Sequence, residues 1–475
     1  MSNIKKIAKG TAIYSITYLL QKGVNFLLLP LFAIYFTAQD FGILGTVQAL
    51  TGFLDILILL GLNSAATRFY YHYRQQSPDK IPEVWATLYG ISISAGCIVL
   101  LLCTTIARPL ITWLLNGIPY QPYFLYGAIG SFFMALFTIY LASMQAREKS
   151  TQYACFNLFF MAIQIILTLF FVSMLKQHAE GPLLSRLLTF AIFFPIFLWV
   201  TRQEIKWTFN KKIVIEVLVY IFPLGIHMLG GWSQSALDRV ILNRVSNTET
   251  VGVFQLAVQI AFPLTALTGA LISAAAPWMT RNILNAPENY RKRMIEITPL
   301  FFSMIAIAFL LFLEFSKWAI VKFFDAKFAG GIPILGFLIL GHFLQMYYLI
   351  FIQPLFVVEG GSKKIPQVSI PAALLQSCLL FMLVPSMRSM GCSIAFATGM
   401  GFMSLFSFWF SQKCFPIKWK KTILLPAFLF ITYLTLSHFN PQLKWVFFVA
   451  IVLGLVGFSA KDLRRSFSLF RDMVR

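Results

Sequence analysis

Apolar stretches long enough to cross a membrane follow one another along almost the whole chain. A run of roughly 18–25 predominantly apolar residues predicts a transmembrane helix, because a helix of that length spans the hydrocarbon core of a bilayer. We therefore predict an all-α, polytopic membrane protein. Reading the runs in order gives about fourteen spans, at residues 11–36, 41–66, 84–107, 119–142, 153–175, 182–201, 217–242, 251–277, 294–315, 332–358, 367–387, 390–412, 422–436 and 443–460.

The composition excludes several other classes of protein. Hydrophobic residues make up 59% of the 475 residues and charged residues 12%, against about 45–50% and about 25% in soluble domains. So few charges cannot coat the surface of a soluble fold of this size. A soluble enzyme, a disordered chain and a disulfide scaffold are therefore excluded.

The basic residues predict the orientation in the membrane. The net charge is +21, from 38 Lys and Arg against 17 Asp and Glu. With a cytoplasmic N-terminus, 27 of the 38 basic residues fall in cytoplasmic segments, 8 in outer segments and 3 within spans. The positive-inside rule then places both termini in the cytoplasm. The basic clusters are short and scattered, which favours contact with anionic membrane lipids and disfavours a nucleic-acid partner.

A weak internal repeat indicates two related halves. Residues 40–43 align with 250–253, and residues 64–66 with 274–276, at one offset of 210 residues. Six predicted spans separate the copies, so the halves share one orientation, which is a known plan for transporters. We predict a six-helix lobe at 1–208, a second six-helix lobe at 209–415, and two extra helices with a basic cytoplasmic tail at 416–475.

Polar residues mark one face of the first predicted span. Tyr18, Lys22 and Asn25 fall on one arc of this helix, and its opposite faces are apolar. A cation near mid-bilayer costs about 2.5–3.5 kcal/mol on insertion scales, so Lys22 should face protein or water. Lys22 either lines a central cavity and meets an anion, or pairs with a nearby carboxylate.

Two charged residues of the second span have alternative interpretations. Asp55 is either the partner of Lys22 or a protonatable coupling site, since an isolated buried carboxyl group takes up a proton. Arg68 ends this span on the cytoplasmic side. It either receives an anionic headgroup or is one more positive-inside charge.

The seventh predicted span carries a second polar face. His227, Gln234 and Asp238 fall within about 40° of one another on a helix, and Arg239 points roughly 100° away. Gly230 and its neighbour Gly231 either interrupt the helix at a transport pathway or permit close helix packing. In the second interpretation Asp238 and Arg239 anchor the outer end of the span.

Motifs of enzymes and metal sites are missing from the sequence. There is no Walker A motif, no GxSxG, no HExxH and no paired-cysteine metal site. We therefore expect no catalytic residue, no metal site and no cofactor.

Several short segments resemble those of one transporter family. They are residues 26–30 with 40–42, 61–69, 222–224 with 235–242, 251–254, 360–364 and 390–395. Through them the chain resembles the polysaccharide transporters of the multidrug/oligosaccharidyl-lipid/polysaccharide exporter superfamily, the flippases for O-antigen and other lipid-linked oligosaccharides. The most specific element is Pro223 followed by the Asp238-Arg239 pair, and the resemblance covers about residues 1–460.

The resemblance implies a function. It implies two six-helix lobes that face a central cavity and work by alternating access in the bacterial cytoplasmic membrane. The implied substrate is an undecaprenyl-pyrophosphate-linked oligosaccharide for O-antigen, capsule or similar surface polysaccharide. The implied partners are that substrate, membrane lipids, and glycan polymerase and ligase proteins. Lys22, Arg68 and Arg239 suit the pyrophosphate in this picture, whereas Tyr18, Asn25, Trp232 and Gln234 suit a sugar.

Other functions remain open at this point. A cation-coupled multidrug or metabolite exporter of the same superfamily usually carries more acidic cavity residues. In this chain Lys22 and Arg239 at least match Asp55 and Asp238 in number. A flippase for the peptidoglycan lipid precursor is a near neighbour. A membrane glycan polymerase or ligase is a remote alternative, since the chain lacks the large external loop that such enzymes need.

We predict that Lys22→Ala abolishes export of the surface glycan while the protein still inserts, because the variant removes a cation from the predicted cavity. Display of the glycan on cells, with membrane insertion of the variant checked by immunoblot, measures this. Normal display by an inserted variant would exclude the cavity role of Lys22.

Overall fold

Long apolar helices build the structure, a computed structural model that describes residues 13, 17, 20, 23, 28–202, 205, 208 and 210–457. No strand occurs among these residues, and eleven helices within them are long and apolar enough to cross a membrane. A bilayer offers no water to backbone N–H and C=O groups, so a spanning chain must satisfy them internally, as a helix does. The predicted all-α, polytopic fold is confirmed.

The helices follow the predicted spans closely. In chain order they are α1 (Leu29–Tyr35), α2 (Ala38–Leu59), α3 (Leu62–Gln76), α4 (Ile81–Thr104), α5 (Arg108–Leu115), α6 (Leu125–Ala146), α7 (Ser150–Leu169), α8 (Glu180–Thr201), α9 (Lys211–Ser235), α10 (Leu237–Val245), α11 (Thr248–Asn285), α12 (Pro287–Phe323), α13 (Ile332–Phe351), α14 (Gln353–Val357), α15 (Ile365–Cys414), α16 (Leu425–Phe439) and α17 (Pro441–Gly457).

The eleven candidate spanning helices are compatible with the fourteen spans predicted from the sequence. Helix α15 has 50 residues, whereas one crossing needs about 20, and its Arg388 is non-helical with φ 50° and ψ −128°. Arg388 lies where the sequence predicts the turn between the eleventh and twelfth spans. The shorter apolar helix α17 corresponds to the predicted fourteenth span. Most of the predicted first span lies outside the described residues.

The helices form two compact units, one up to Leu256 and one from Ala257 onward. In the first unit α2 packs against α4, α6, α9 and α10, and α6 also packs against α3 and α8. In the second unit α13 packs against α12, α15 and α16. The predicted division into lobes at 1–208 and 209–415 with an appendage at 416–475 stays a prediction.

Two helix starts in the first unit are capped in the same way. At the start of α2, the hydroxyl of Thr37 accepts the backbone N–H of Asp40 at 3.2 Å, and the Asp40 carboxylate accepts the N–H of Thr37 at 2.8 Å. At the start of α11, Oδ1 of Asn247 accepts the backbone N–H of Thr250 at 2.9 Å. Both caps satisfy N–H groups that the helix itself leaves unbonded. Thr37 and Asn247 are 210 residues apart, as are Asp40 and Thr250, which is the offset of the predicted repeat.

The glycines of the repeat lie against each other's helices. A Cβ atom on Gly42 would lie 1.8 Å from the carbonyl oxygen of Thr248, and one on Gly252 would lie 1.7 Å from that of Ala38. Ala38 and Thr248 are again 210 residues apart, so the contact is reciprocal, as at a local two-fold axis. Small residues let helix backbones in membranes approach this closely.

We predict that Gly252→Ala lowers the free energy of unfolding by about 1–3 kcal/mol, the usual effect of overpacking, because its methyl group would overlap a backbone carbonyl. Gly42→Ala should behave in the same way. Thermal unfolding of the purified protein in detergent measures the change.

Gly130→Ala in α6 is the matched control, because no heavy atom lies within 4 Å of its added Cβ. Alanine is the better helix former by about 1 kcal/mol, so this variant should be as stable as the wild type or more stable. Equal melting temperatures for Gly252→Ala and Gly130→Ala would contradict the close contact.

Candidate functional site

Asp55 and Arg186 form an ion pair within predicted spans of the first unit. Asp55 lies on α2 and Arg186 on α8, and both helices pack against α6. Nη2 of Arg186 is 3.9 Å from Oδ2 of Asp55, and the two side chains are 24% and 34% exposed. Each charge offsets part of the free-energy cost of placing the other at membrane depth. The partial exposure leaves the pair accessible to a ligand.

This pair leaves most of its hydrogen-bonding capacity unused. Oδ1 of Asp55 is buried without a hydrogen-bond partner among the described residues. Within the same part of the chain Arg186 has the Asp55 contact and the ring of Phe190 at 6.0 Å, and it makes no hydrogen bond. A guanidinium group carries five N–H donors. Those of Arg186 are therefore available to an anion.

Arg239, by contrast, makes three hydrogen bonds. It is buried, its Nε donates to Oε1 of Gln255 at 2.8 Å, and its Nη1 donates to Oδ1 of Asp238 at 3.1 Å. Nη1 also donates to the carbonyl of Ser235, and the guanidinium lies 5.8 Å from the ring centre of Phe254. This bonding suits the interpretation in which Asp238 and Arg239 anchor the outer end of the span better than it suits a headgroup site at Arg239.

A helix break separates Gln234 from Asp238 and Arg239. Helix α9 ends at Ser235, Ala236 has φ −141°, and α10 begins at Leu237. On one continuous helix over residues 217–242, Gln234 and Asp238 would share a face, and the break at Ala236 changes that relation. Of the two interpretations of Gly230 and Gly231, the interrupted helix is excluded, since α9 is continuous through both glycines.

The residues of the predicted polar face of the seventh span differ in exposure. His227 is exposed, whereas Gln234 and Asp238 are buried. Trp232, which we expected to suit a sugar, donates its indole N–H to the carbonyl of Ala49 at 2.8 Å. This bond joins α9 to α2, so Trp232 has a structural role.

Arg68 lies within α3, which continues to Gln76 beyond the predicted end of the second span. Its side chain is exposed, and the guanidinium lies 4.4 Å from the ring centre of Tyr220 on α9. An exposed cation–π contact contributes about 0.5–1 kcal/mol. Arg68 thus joins two helices and keeps donors at the surface.

Three predicted cavity residues, Tyr18, Lys22 and Asn25, lie outside the described residues. Their roles stay predictions. Among the described residues Arg186 is the cation paired with Asp55. Arg186 is one of the three basic residues within predicted spans, a position that is itself a signal of function, but no site role was predicted for it.

A second charge cluster that the sequence analysis missed lies in the second unit. The Glu314 carboxylate on α12 accepts from Lys317 at 2.5 Å and from the Tyr433 hydroxyl at 2.6 Å, and Lys444 lies 3.9 Å away. The cluster fastens α16 and the start of α17 to α12. Among the described residues, no group of three or more His, Cys, Asp or Glu side chains could hold a metal ion.

Solved structures share this fold. A structure of the lipid II flippase MurJ in an inward closed conformation aligns with a TM-score of 0.72 at 15% identity, over 98% of this chain and all of that chain (100%). An inward-facing multidrug resistance MATE family transporter of the MOP superfamily aligns with a TM-score of 0.61 at 16% identity, over 82% of this chain and 94% of that chain. The chain therefore shares its fold with these two transporters.

Sequence comparison gives the family. The profile described as "Polysaccharide biosynthesis protein" matches residues 7–283, which is more than half of the chain, and the chain belongs to this family. "Lsg locus putative protein 1" of Haemophilus influenzae is 22% identical over 374 residues, which cover 77% of this chain and 88% of that protein. An "Uncharacterized membrane protein" of the same organism is 24% identical over 282 residues, 58% of this chain and 65% of that protein. The family predicted from the sequence segments is confirmed.

We predict that Arg239→Gln lowers the free energy of unfolding by about 3–5 kcal/mol, because it leaves the buried Asp238 carboxylate without its cation. Arg68→Gln is the matched control and should cost no more than about 1 kcal/mol. Thermal unfolding in detergent compares the two. A wild-type melting temperature for Arg239→Gln would show that Arg239 is not a structural residue.

Proposed function

We propose that this protein is an alternating-access flippase that moves an undecaprenyl-pyrophosphate-linked oligosaccharide across the bacterial cytoplasmic membrane for surface polysaccharide biosynthesis. The family supports a role in polysaccharide biosynthesis, and the fold supports transport. The observation that carries the proposal is Arg186, a cation inside the membrane spans whose donors are unengaged among the described residues.

The chemistry of a lipid pyrophosphate explains the need for such a cation. The lipid tail is soluble in the bilayer core, whereas moving the anionic phosphates into hydrocarbon costs much free energy. Arginine binds phosphate oxygens through two parallel N–H donors, and its weakly hydrated guanidinium suits a partly buried position. Arg186 has donors available for this bond. In this proposal Lys22 supplies a second positive charge and Asn25 and Tyr18 contact the glycan.

The remaining parts of the proposal follow from charge distribution and family. Both termini lie in the cytoplasm, because the basic residues concentrate in that set of connections. The protein acts as a transporter, not as an enzyme, and needs no cofactor. It receives its substrate from the inner leaflet and delivers it to glycan polymerase and ligase proteins on the outer side.

A second candidate function is a flippase for the peptidoglycan lipid precursor. The structure of a lipid II flippase, which aligns over nearly the whole of this chain, favours it. The family match to polysaccharide biosynthesis favours the first candidate. Both candidate functions require an anion site within the spans, and Arg186 could bind the phosphates of either substrate. The two substrates differ in the glycan that the lipid carries.

Transport by purified protein in liposomes tests the proposal. Labelled lipid-linked oligosaccharide and lipid II are supplied separately, with and without a pH gradient, and the fraction that reaches the opposite leaflet is measured. We expect faster movement of the oligosaccharide lipid. Arg186→Gln should slow it about tenfold or more, since a hydrogen bond to a charged group contributes about 1.5–3 kcal/mol.

Arg202→Gln is the matched control, since Arg202 is exposed at the end of α8 with its guanidinium 5.6 Å from the ring centre of Trp199. It should flip at the wild-type rate. Faster movement of lipid II would favour the second candidate. Movement of neither lipid, or wild-type rates for Arg186→Gln, would overturn the proposed site.

A further inference from the structure

Asp55 holds Arg186 more loosely than Asp238 holds Arg239 or Glu314 holds Lys317. Their closest N–O distance is 3.9 Å, whereas a charge-assisted hydrogen bond is about 2.7–2.9 Å. The Asp238–Arg239 pair is 3.1 Å apart, and Lys317 lies 2.5 Å from Glu314. A contact of 3.9 Å keeps the Coulomb attraction but lacks the hydrogen bond, so another acceptor can replace it with little loss.

The surroundings of the pair place no alternative ion within reach. Helix α2 also packs against α4, α6, α9 and α10. Among the described residues of these helices, none places a second basic side chain within salt-bridge distance of Asp55, and no second carboxylate reaches Arg186. Lys22 lies outside the described residues. Within the described structure Asp55 and Arg186 are therefore each other's counter-ion.

A carboxylate and a phosphate are acceptors of the same kind. Both present negatively charged oxygens to the guanidinium fork. Both therefore compete for the same N–H donors. A neutral headgroup carries no charge with which to displace Asp55.

We propose that Asp55 is an internal competitor that occupies Arg186 until the phosphates of the lipid carrier displace it, and that this exchange selects anionic lipids and speeds their release. The inference rests on the proposed function. In the empty state Asp55 lowers the cost of an unpaired arginine within the membrane. In the loaded state it lowers the apparent affinity, because the substrate must displace a counter-ion.

Binding of a soluble analogue by the full-length protein in detergent tests the proposal. Farnesyl diphosphate is the probe, and farnesol is its uncharged counterpart. Isothermal titration calorimetry gives the affinity, and dilution of the loaded protein gives the release rate. Asp55→Asn removes the competing charge at constant size, Asp55→Glu keeps it, and Arg186→Gln removes the site.

We expect Asp55→Asn to bind farnesyl diphosphate about two- to fivefold more tightly than wild type, the range that an exposed ion pair supplies, and to release it more slowly by a similar factor. Asp55→Glu should stay within about twofold of wild type for the same reason. Damage to the fold would weaken binding and would not strengthen it.

Three outcomes separate the inference from the function on which it rests. Tighter binding by Asp55→Asn, lost in the double variant with Arg186→Gln, supports the inference. Unchanged or weaker binding by Asp55→Asn, with diphosphate still preferred over farnesol through Arg186, overturns the inference and leaves the proposed function standing. Equal binding of farnesyl diphosphate and farnesol by wild type overturns both the anion site and the inference.

Discussion

The hydrocarbon core of a bilayer supplies neither hydrogen bonds nor counter-ions, so the protein must provide both from its own residues. Backbone groups bond within helices, and the side chains of Thr37 and Asn247 cap two helix starts where N–H groups would otherwise be unbonded. Charged residues within the predicted spans occur beside partners of opposite sign, as Asp238 does beside Arg239 and Asp55 beside Arg186.

The ion pairs differ in how completely each charge is satisfied, and that difference separates structure from function. Arg239 is buried and makes three hydrogen bonds, to a carboxylate, an amide and a backbone carbonyl, so it acts as a structural residue. Glu314 accepts from a lysine and a tyrosine and fastens the C-terminal helices. Arg186 contacts Asp55 at 3.9 Å without a hydrogen bond. The incomplete pair is the one that can exchange partners.

The spans could be predicted from the sequence because hydropathy along a helix is a local property. The break at Ala236 could not be predicted, since neither Gly nor Pro marks it. Because the break was not foreseen, the angle predicted between Gln234 and Asp238 on one continuous helix does not apply. Periodicity within one helix also cannot show which distant helix supplies a counter-ion. One of the two interpretations of Asp55 paired it with Lys22, which lies outside the described residues, and among the described residues its counter-ion is Arg186 on α8.

The sequence therefore predicted which kinds of residue matter for function better than it predicted how they are arranged in space. An ionisable residue within a span indicates a site or a pairing, whatever the fold around it. Whether the residue forms a functional site or a structural ion pair depends on how many of its N–H donors have no partner in the protein. That number follows from contacts between helices. Arg239 belongs to the most specific segment of the family resemblance and is engaged in the structure. Arg186 belongs to none of those segments and has donors to offer.

The meeting of Gly42 and Gly252 explains why the internal repeat is so faint in the sequence. Each glycine lies against a backbone carbonyl of the other copy, and a carbonyl oxygen is the same whichever side chain its residue carries. The contact demands one glycine from each copy and lets the flanking side chains differ, as Ala38 differs from Thr248. Two duplicated segments can thus diverge by independent substitution almost beyond recognition while the backbone geometry that joins them is inherited unchanged.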